Sequence, residues 1–165
     1  MVLPMRTVEL VLDPELERAV RALWDRLHAA GVRSLATHTH PTNRPHVTLA
    51  VAASTDALPR LGLPVPVRLG APRMLGRALV LPVSGLHEVQ ARVWSAVGSA
   101  NPLHHPDRWV PHVSLALKAT PGSDTLLAGL PALTGHAVAA RSYDQDTVDV
   151  EIAGSGSVDV QGRAR

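Results

Sequence analysis

Six residues, Pro45-His46-Val47-Thr48-Leu49-Ala50, recur as Pro111-His112-Val113-Ser114-Leu115-Ala116, with only Thr exchanged for Ser. The second histidine stands 66 positions after the first (112 against 46). Imidazole gives and takes protons near neutrality. One neutral ring can remove a proton from an attacking water while a second, protonated ring protonates a leaving oxygen; each transfer is worth roughly 10²–10⁴ in rate. The hydroxyl two residues after each His can donate to a non-bridging phosphate oxygen, where charge must be stabilised in the transition state. Two imidazoles and two hydroxyls suit acid–base chemistry on a phosphoester without a metal. Rings acting in opposite protonation states predict a bell-shaped pH–rate profile centred roughly between 6 and 8.

Alternation in a strand places His46, Thr48 and Ala50 on one face and Val47, Leu49 and Val51 on the other. The second copy repeats this, with His112, Ser114 and Ala116 opposite Val113, Leu115 and Leu117. The Val/Leu faces belong to the core. The His/hydroxyl faces line a site, with the small alanines leaving room for a ligand.

Around these strands the chain reads as a repeated strand–helix–loop–motif order. Val8 to Leu12 is a short apolar run interrupted by Glu9, a strand. Asp13 and Pro14 open a helix, and Leu16, Val20, Leu23, Trp24 and Leu27 follow at helical spacing up to Gly31. Ser54 to Leu61 reads as a short helix, and Val65–Leu69 and Ala78–Val83 as strands. A second helix covers about 85–97 with Leu86, Val89, Val93 and Val97 on one stripe. Ser123 caps a short helix to Leu130; Ala137–Arg141 and Thr147–Ile152 close the fold as strands. A His-Pro loop precedes each motif, at His40-Pro41 and His105-Pro106. The Gly/Ser-rich tail from Gly154 reads as disordered, with Val158–Val160 a candidate edge strand. The expectation is one α+β domain over residues 1–165, a duplicated unit with antiparallel sheets and two lobes about a central cleft.

At 165 residues, 45% hydrophobic, the chain can bury a core without a staple. It has no Cys, which excludes disulfides and thiolate metal sites. The net charge of +2 is too small for an extended nucleic-acid surface, and Lys118 is its single lysine. Pro4, Arg6 and Glu9 break the first apolar run before it could act as a signal peptide, and no stretch reaches membrane-span length. The expected location is cytoplasmic.

The pair His46-Val47-Thr48-Leu49 and His112-Val113-Ser114-Leu115 resembles the two H-x-[T/S]-x signatures of the 2H phosphoesterase superfamily. Within it the chain is most similar to the 2′-5′ RNA ligase-like and cyclic-phosphodiesterase branch. The resemblance implies a bilobal fold whose cleft holds both motifs. It also implies hydrolysis of 2′,3′-cyclic phosphates, or making and breaking of 2′,5′ linkages, on small nucleotides or RNA ends. His46 and His112 would be the acid–base pair, and Thr48 and Ser114 the phosphate-binding hydroxyls. No cofactor, no membrane association and no obligate protein partner are expected. The competing reading is a non-catalytic nucleotide- or RNA-end-binding module of the same fold.

Arg44 and Arg108, two and four positions before their histidines, are candidates for positive charge at the cleft mouth. Trp109 and Tyr143 are candidates for stacking a base, and Trp24 and Trp94 read as packing residues. Aromatics total 2%, which argues against a long RNA and leaves a small cyclic nucleotide. His38, His40 and His46, with His104-His105, could in principle hold zinc. No Cys assists them, and Asp56 lies beyond the motif strand, so no metal is expected.

Overall fold

The computed structural model describes residues 5–39 and 43–142, with the backbone of 150–151. Eight strands and two helices make up its regular structure: β1 (Arg6–Leu12), α1 (Pro14–Ala29), β2 (His46–Ala52), β3 (Val65–Leu69), β4 (Arg73–Leu75), β5 (Ala78–Ser84), α2 (His87–Val97), β6 (His112–Ala116), β7 (Leu133–Ser142) and β8 (Val150–Glu151). All pairings are antiparallel. The main path runs β2-β1-β7-β3-β5, with β6 and β4 on β5 and β8 on β7. The motif strands β2 and β6 are therefore the two ends of β2-β1-β7-β3-β5-β6, and these ends lie close to each other, so the sheet nearly closes. This is the α+β, antiparallel arrangement the resemblance implies.

Local chemistry explains α1. Asp13 caps it, its Oδ1 accepting from Leu16 N at 2.8 Å, and Pro14 fills the first position, where no donor is needed. Leu16, Val20, Leu23, Trp24 and Leu27 form its buried stripe. Each such burial contributes roughly 1.5–3 kcal/mol before entropic losses. The other oxygen of Asp13 accepts from His136 N at 2.7 Å, tying the helix start to β7.

Each helix serves the opposite motif. From α1, Trp24 Nε1 donates to Ser114 O on β6 at 3.1 Å. From α2, the buried Gln90 reaches Leu49 O on β2 at 3.4 Å. The loop after α2 extends this contact: Ala100 N donates to Val51 O, and Val51 N donates to Ser99 Oγ.

Several local expectations change. Residues 54–61 form a single turn at 56–57 within irregular chain rather than a helix, with Pro59 removing a donor from any helical ladder. The helix at Ser123 is a 3₁₀ segment, Ser123–Leu127, entered through Gly122 in a left-handed conformation; Ser123 Oγ donates to Thr120 O instead of capping. The three-residue β4 is too short to read from alternation. The strand Ala137–Arg141 starts earlier, at Leu133. His40-Pro41, the segment 143–149 and the tail from 152 lie outside the described residues. Among the described residues no helix is long and apolar enough to cross a membrane.

Candidate active site

The two motifs are built alike down to their irregularities. On β2, Val8 of β1 faces Ala50 and Glu9 faces Thr48, leaving Leu49 as an extra residue. On β6, Leu79 of β5 faces Ala116 and Val80 faces Ser114, leaving Leu115 extra. A bulge at the same place in both copies re-aims the chain, as bulges beside functional sites often do. It also overturns one expectation. Ala50 and Ala116 do not continue the polar face; both are fully buried in the hydrophobic core beside Leu49 and Leu115. The polar face is limited to His46 with Thr48 and His112 with Ser114, all half-buried.

Each histidine is oriented by the carbonyl two residues earlier. His46 Nδ1 lies 2.8 Å from Arg44 O, and His112 Nδ1 lies 2.8 Å from Val110 O. A carbonyl only accepts, so both contacts require the proton on Nδ1. That leaves Nε2 of each ring as the atom that can exchange a proton. The hydroxyl-bearing residues are anchored crosswise through their backbones: Trp109 Nε1 donates to Thr48 O at 3.1 Å, while Trp24 Nε1 donates to Ser114 O at the same distance.

The remaining candidates divide. Both strands begin at the motif His, so strand alternation does not carry Arg44 or Arg108 onto the site face. Arg44 is engaged with Glu17 of α1 (Nε–Oε1 2.7 Å) and braces the segment before β2, rather than standing as an uncompensated charge. Arg108 lies exposed in the loop before β6. Trp109 is not a stacking platform. It is only 6% exposed, edge-on to His87, with its N–H committed to Thr48 O. Tyr143 lies outside the described residues.

One pair, Glu9 and Arg141, escaped the sequence reading as part of the site. Glu9 is 1% exposed and Arg141 4%, and they pair at 2.8 Å (Oε2–Nε) beside His46. Glu9 Oε1 stands 3.6 Å from His46 Nε2, and an Arg141 guanidinium nitrogen stands 3.5 Å from Nδ1. Nδ1 already donates to Arg44 O, so the arginine contact is charge proximity rather than a hydrogen bond. The available signal was a carboxylate inside the apolar run of β1. Its partner lies 132 positions away, where no local pattern points to it. His104, considered from the sequence only as a zinc ligand, instead has its Nδ1 2.8 Å from Ser99 Oγ. Burial pushes its pKa below the usual 6.5, and the nearby charge of His112 acts in the same direction. Among the described residues no three His, Asp or Glu side chains gather closely enough to share a metal ion; His40 lies outside them.

In overall shape the chain is similar to the crystal structure of the MHV ns2 PDE domain, with a TM-score of 0.54 over 91% of this chain and 99% of that one, at 17% identity. This chain has the fold of that domain. No family model matches the sequence, and no curated protein does.

Proposed function

We propose that this chain is a metal-independent phosphoesterase of the 2H type. It hydrolyses 2′,3′-cyclic phosphates, or makes and breaks 2′,5′ linkages, on small nucleotides or RNA ends. The observation that carries the proposal is the equivalent construction of two half-sites. Each has a bulged strand, a His with its Nδ1 proton fixed by the carbonyl two residues back, and a hydroxyl two residues on. The fold shared with a PDE domain supports the same reading. In hydrolysis of a cyclic phosphate, one Nε2 takes a proton from water as its oxygen bonds to phosphorus. The other Nε2 gives a proton to the ribose oxygen as that P–O bond breaks. Thr48 and Ser114 hydroxyls donate to the non-bridging oxygens.

The test is 2′,3′-cyclic nucleotide hydrolysis, with and without EDTA, by wild type, His46→Ala and His112→Ala. Each substitution should lower kcat by roughly 10²–10⁴, EDTA should have no effect, and the wild-type pH profile should be bell-shaped. Full activity in either variant would sink the two-histidine reading, and loss in EDTA would point to a metal. Nucleotide binding without turnover of any cyclic or 2′,5′ substrate would favour a binding module.

A further inference from the structure

The two half-sites are not equal, and the inequality lies beneath them. The registers make β1 and β5 equivalent: Val8, Glu9, Leu10 and Val11 against β2 correspond to Leu79, Val80, Leu81 and Pro82 against β6. The buried carboxylate of one half is therefore a valine in the other. Among the described residues no carboxylate pairs with His112, whose titratable neighbour is His104. Around His46, Glu9 from β1 stands at Nε2 and Arg141 from β7 stands at Nδ1.

We propose that Glu9, clamped by Arg141, is a positioning residue that biases His46 towards the proton-donating role and leaves His112 as the proton acceptor. A buried charge is kept only where it is paired, and removing one partner of such a pair is costly. Glu9 and Arg141 form a pair that apolar residues could replace, as Val80 shows at the position equivalent to Glu9; its retention beside one imidazole only needs a reason. The geometry supplies one. With Nδ1–H committed to Arg44 O, a proton on Nε2 makes the ring cationic and faces the Glu9 carboxylate. Arg141 opposes that charge, but it lies on the Nδ1 side and is itself bonded to Glu9. The inference rests on the phosphoesterase reading, and the proton bookkeeping is that of the hydrolysis above. His46 gives its Nε2 proton to the leaving ribose oxygen as His112 receives one from water.

The experiment uses Glu9→Gln and, because a lone buried arginine could destabilise the fold, the charge-neutral double variant Glu9→Gln/Arg141→Gln. On a 2′,3′-cyclic nucleotide, kcat should fall by roughly 10- to 10²-fold, less than the loss of a whole proton transfer, with KM little changed. The alkaline limb of the pH profile should move to lower pH while the acid limb stays. On a nitrophenyl phosphodiester, whose leaving group needs no proton, Glu9→Gln and His46→Ala should keep most of their activity and His112→Ala should not. Equal losses on both substrates, or a wild-type pH profile in the folded double variant, would overturn the proposal. If wild type turns over neither substrate, the phosphoesterase reading fails by itself. NMR of the imidazoles then still decides the pairing: Glu9→Gln should displace the pH response of His46 and not that of His112, and an unchanged His46 would overturn it.

Discussion

Trp109 separates a structural from a substrate-binding role in one substitution. In Trp109→Phe the ring is smaller and the N–H to Thr48 O is lost. That carbonyl is part-buried and can recruit water in part, so the lost bond costs about 1 kcal/mol. The indole is 6% exposed within the main hydrophobic cluster, so the shrunken ring leaves a partial cavity worth a further ~1–2 kcal/mol. For a chain of 165 residues each kcal/mol moves the thermal midpoint by roughly 2–4 °C, so Tm should drop by about 5–10 °C. Slackening of Thr48 should then lower kcat more than it raises KM. Scanning calorimetry and steady-state kinetics on a cyclic nucleotide check both. An unchanged Tm with a raised KM would refute the reasoning and restore Trp109 as a stacking residue.

Thr48→Val and Ser114→Ala remove an oxygen and keep the approximate shape, so each should lower kcat/KM by roughly 10- to 10²-fold, the worth of a hydrogen bond to a charged group. Their thermal midpoints should stay near wild type, since the backbone anchors from the indoles remain. His104 should report through stability. Its folded-state pKa is lowered below 6.5, so folding binds fewer protons than the unfolded chain does, and stability is lost as pH falls from 6.5 through the lower folded value. Thermal melts above and below that pH should therefore show a smaller acid loss in His104→Asn than in wild type. A larger loss in the variant would contradict the sign.

Patterns that need only neighbours along the chain were legible in the sequence. The stripe of α1 with its Asp13 cap depends on residues three or four apart, and Pro14 to Ala29 follows it closely. The duplicated motif predicted a strand from His46, observed as β2 (His46–Ala52), because apolar alternation and the flanking proline are local signals. The candidate residues themselves, His46, Thr48, His112 and Ser114, came from the repeat alone. What failed locally has a local cause that alternation ignores. The bulges at Leu49 and Leu115 shift the register by one residue and send Ala50 and Ala116 into the core.

Pairing across the chain was decided only in three dimensions. The sequence by itself determined that two His-x-hydroxyl strands exist in an α+β chain, since composition and periodicity are properties of short windows. It did not determine that these strands would be the two ends of a nearly closed sheet, with Trp24 and Trp109 each pinned to the other half's motif. Nor could it join Glu9 to Arg141. A carboxylate in an apolar strand reads as an interruption until β7 lies against β1, in the register that sets residue 141 opposite residue 9. The cost of burying one charge is met by its partner, and the partner is chosen by sheet register, which is a property of the whole fold.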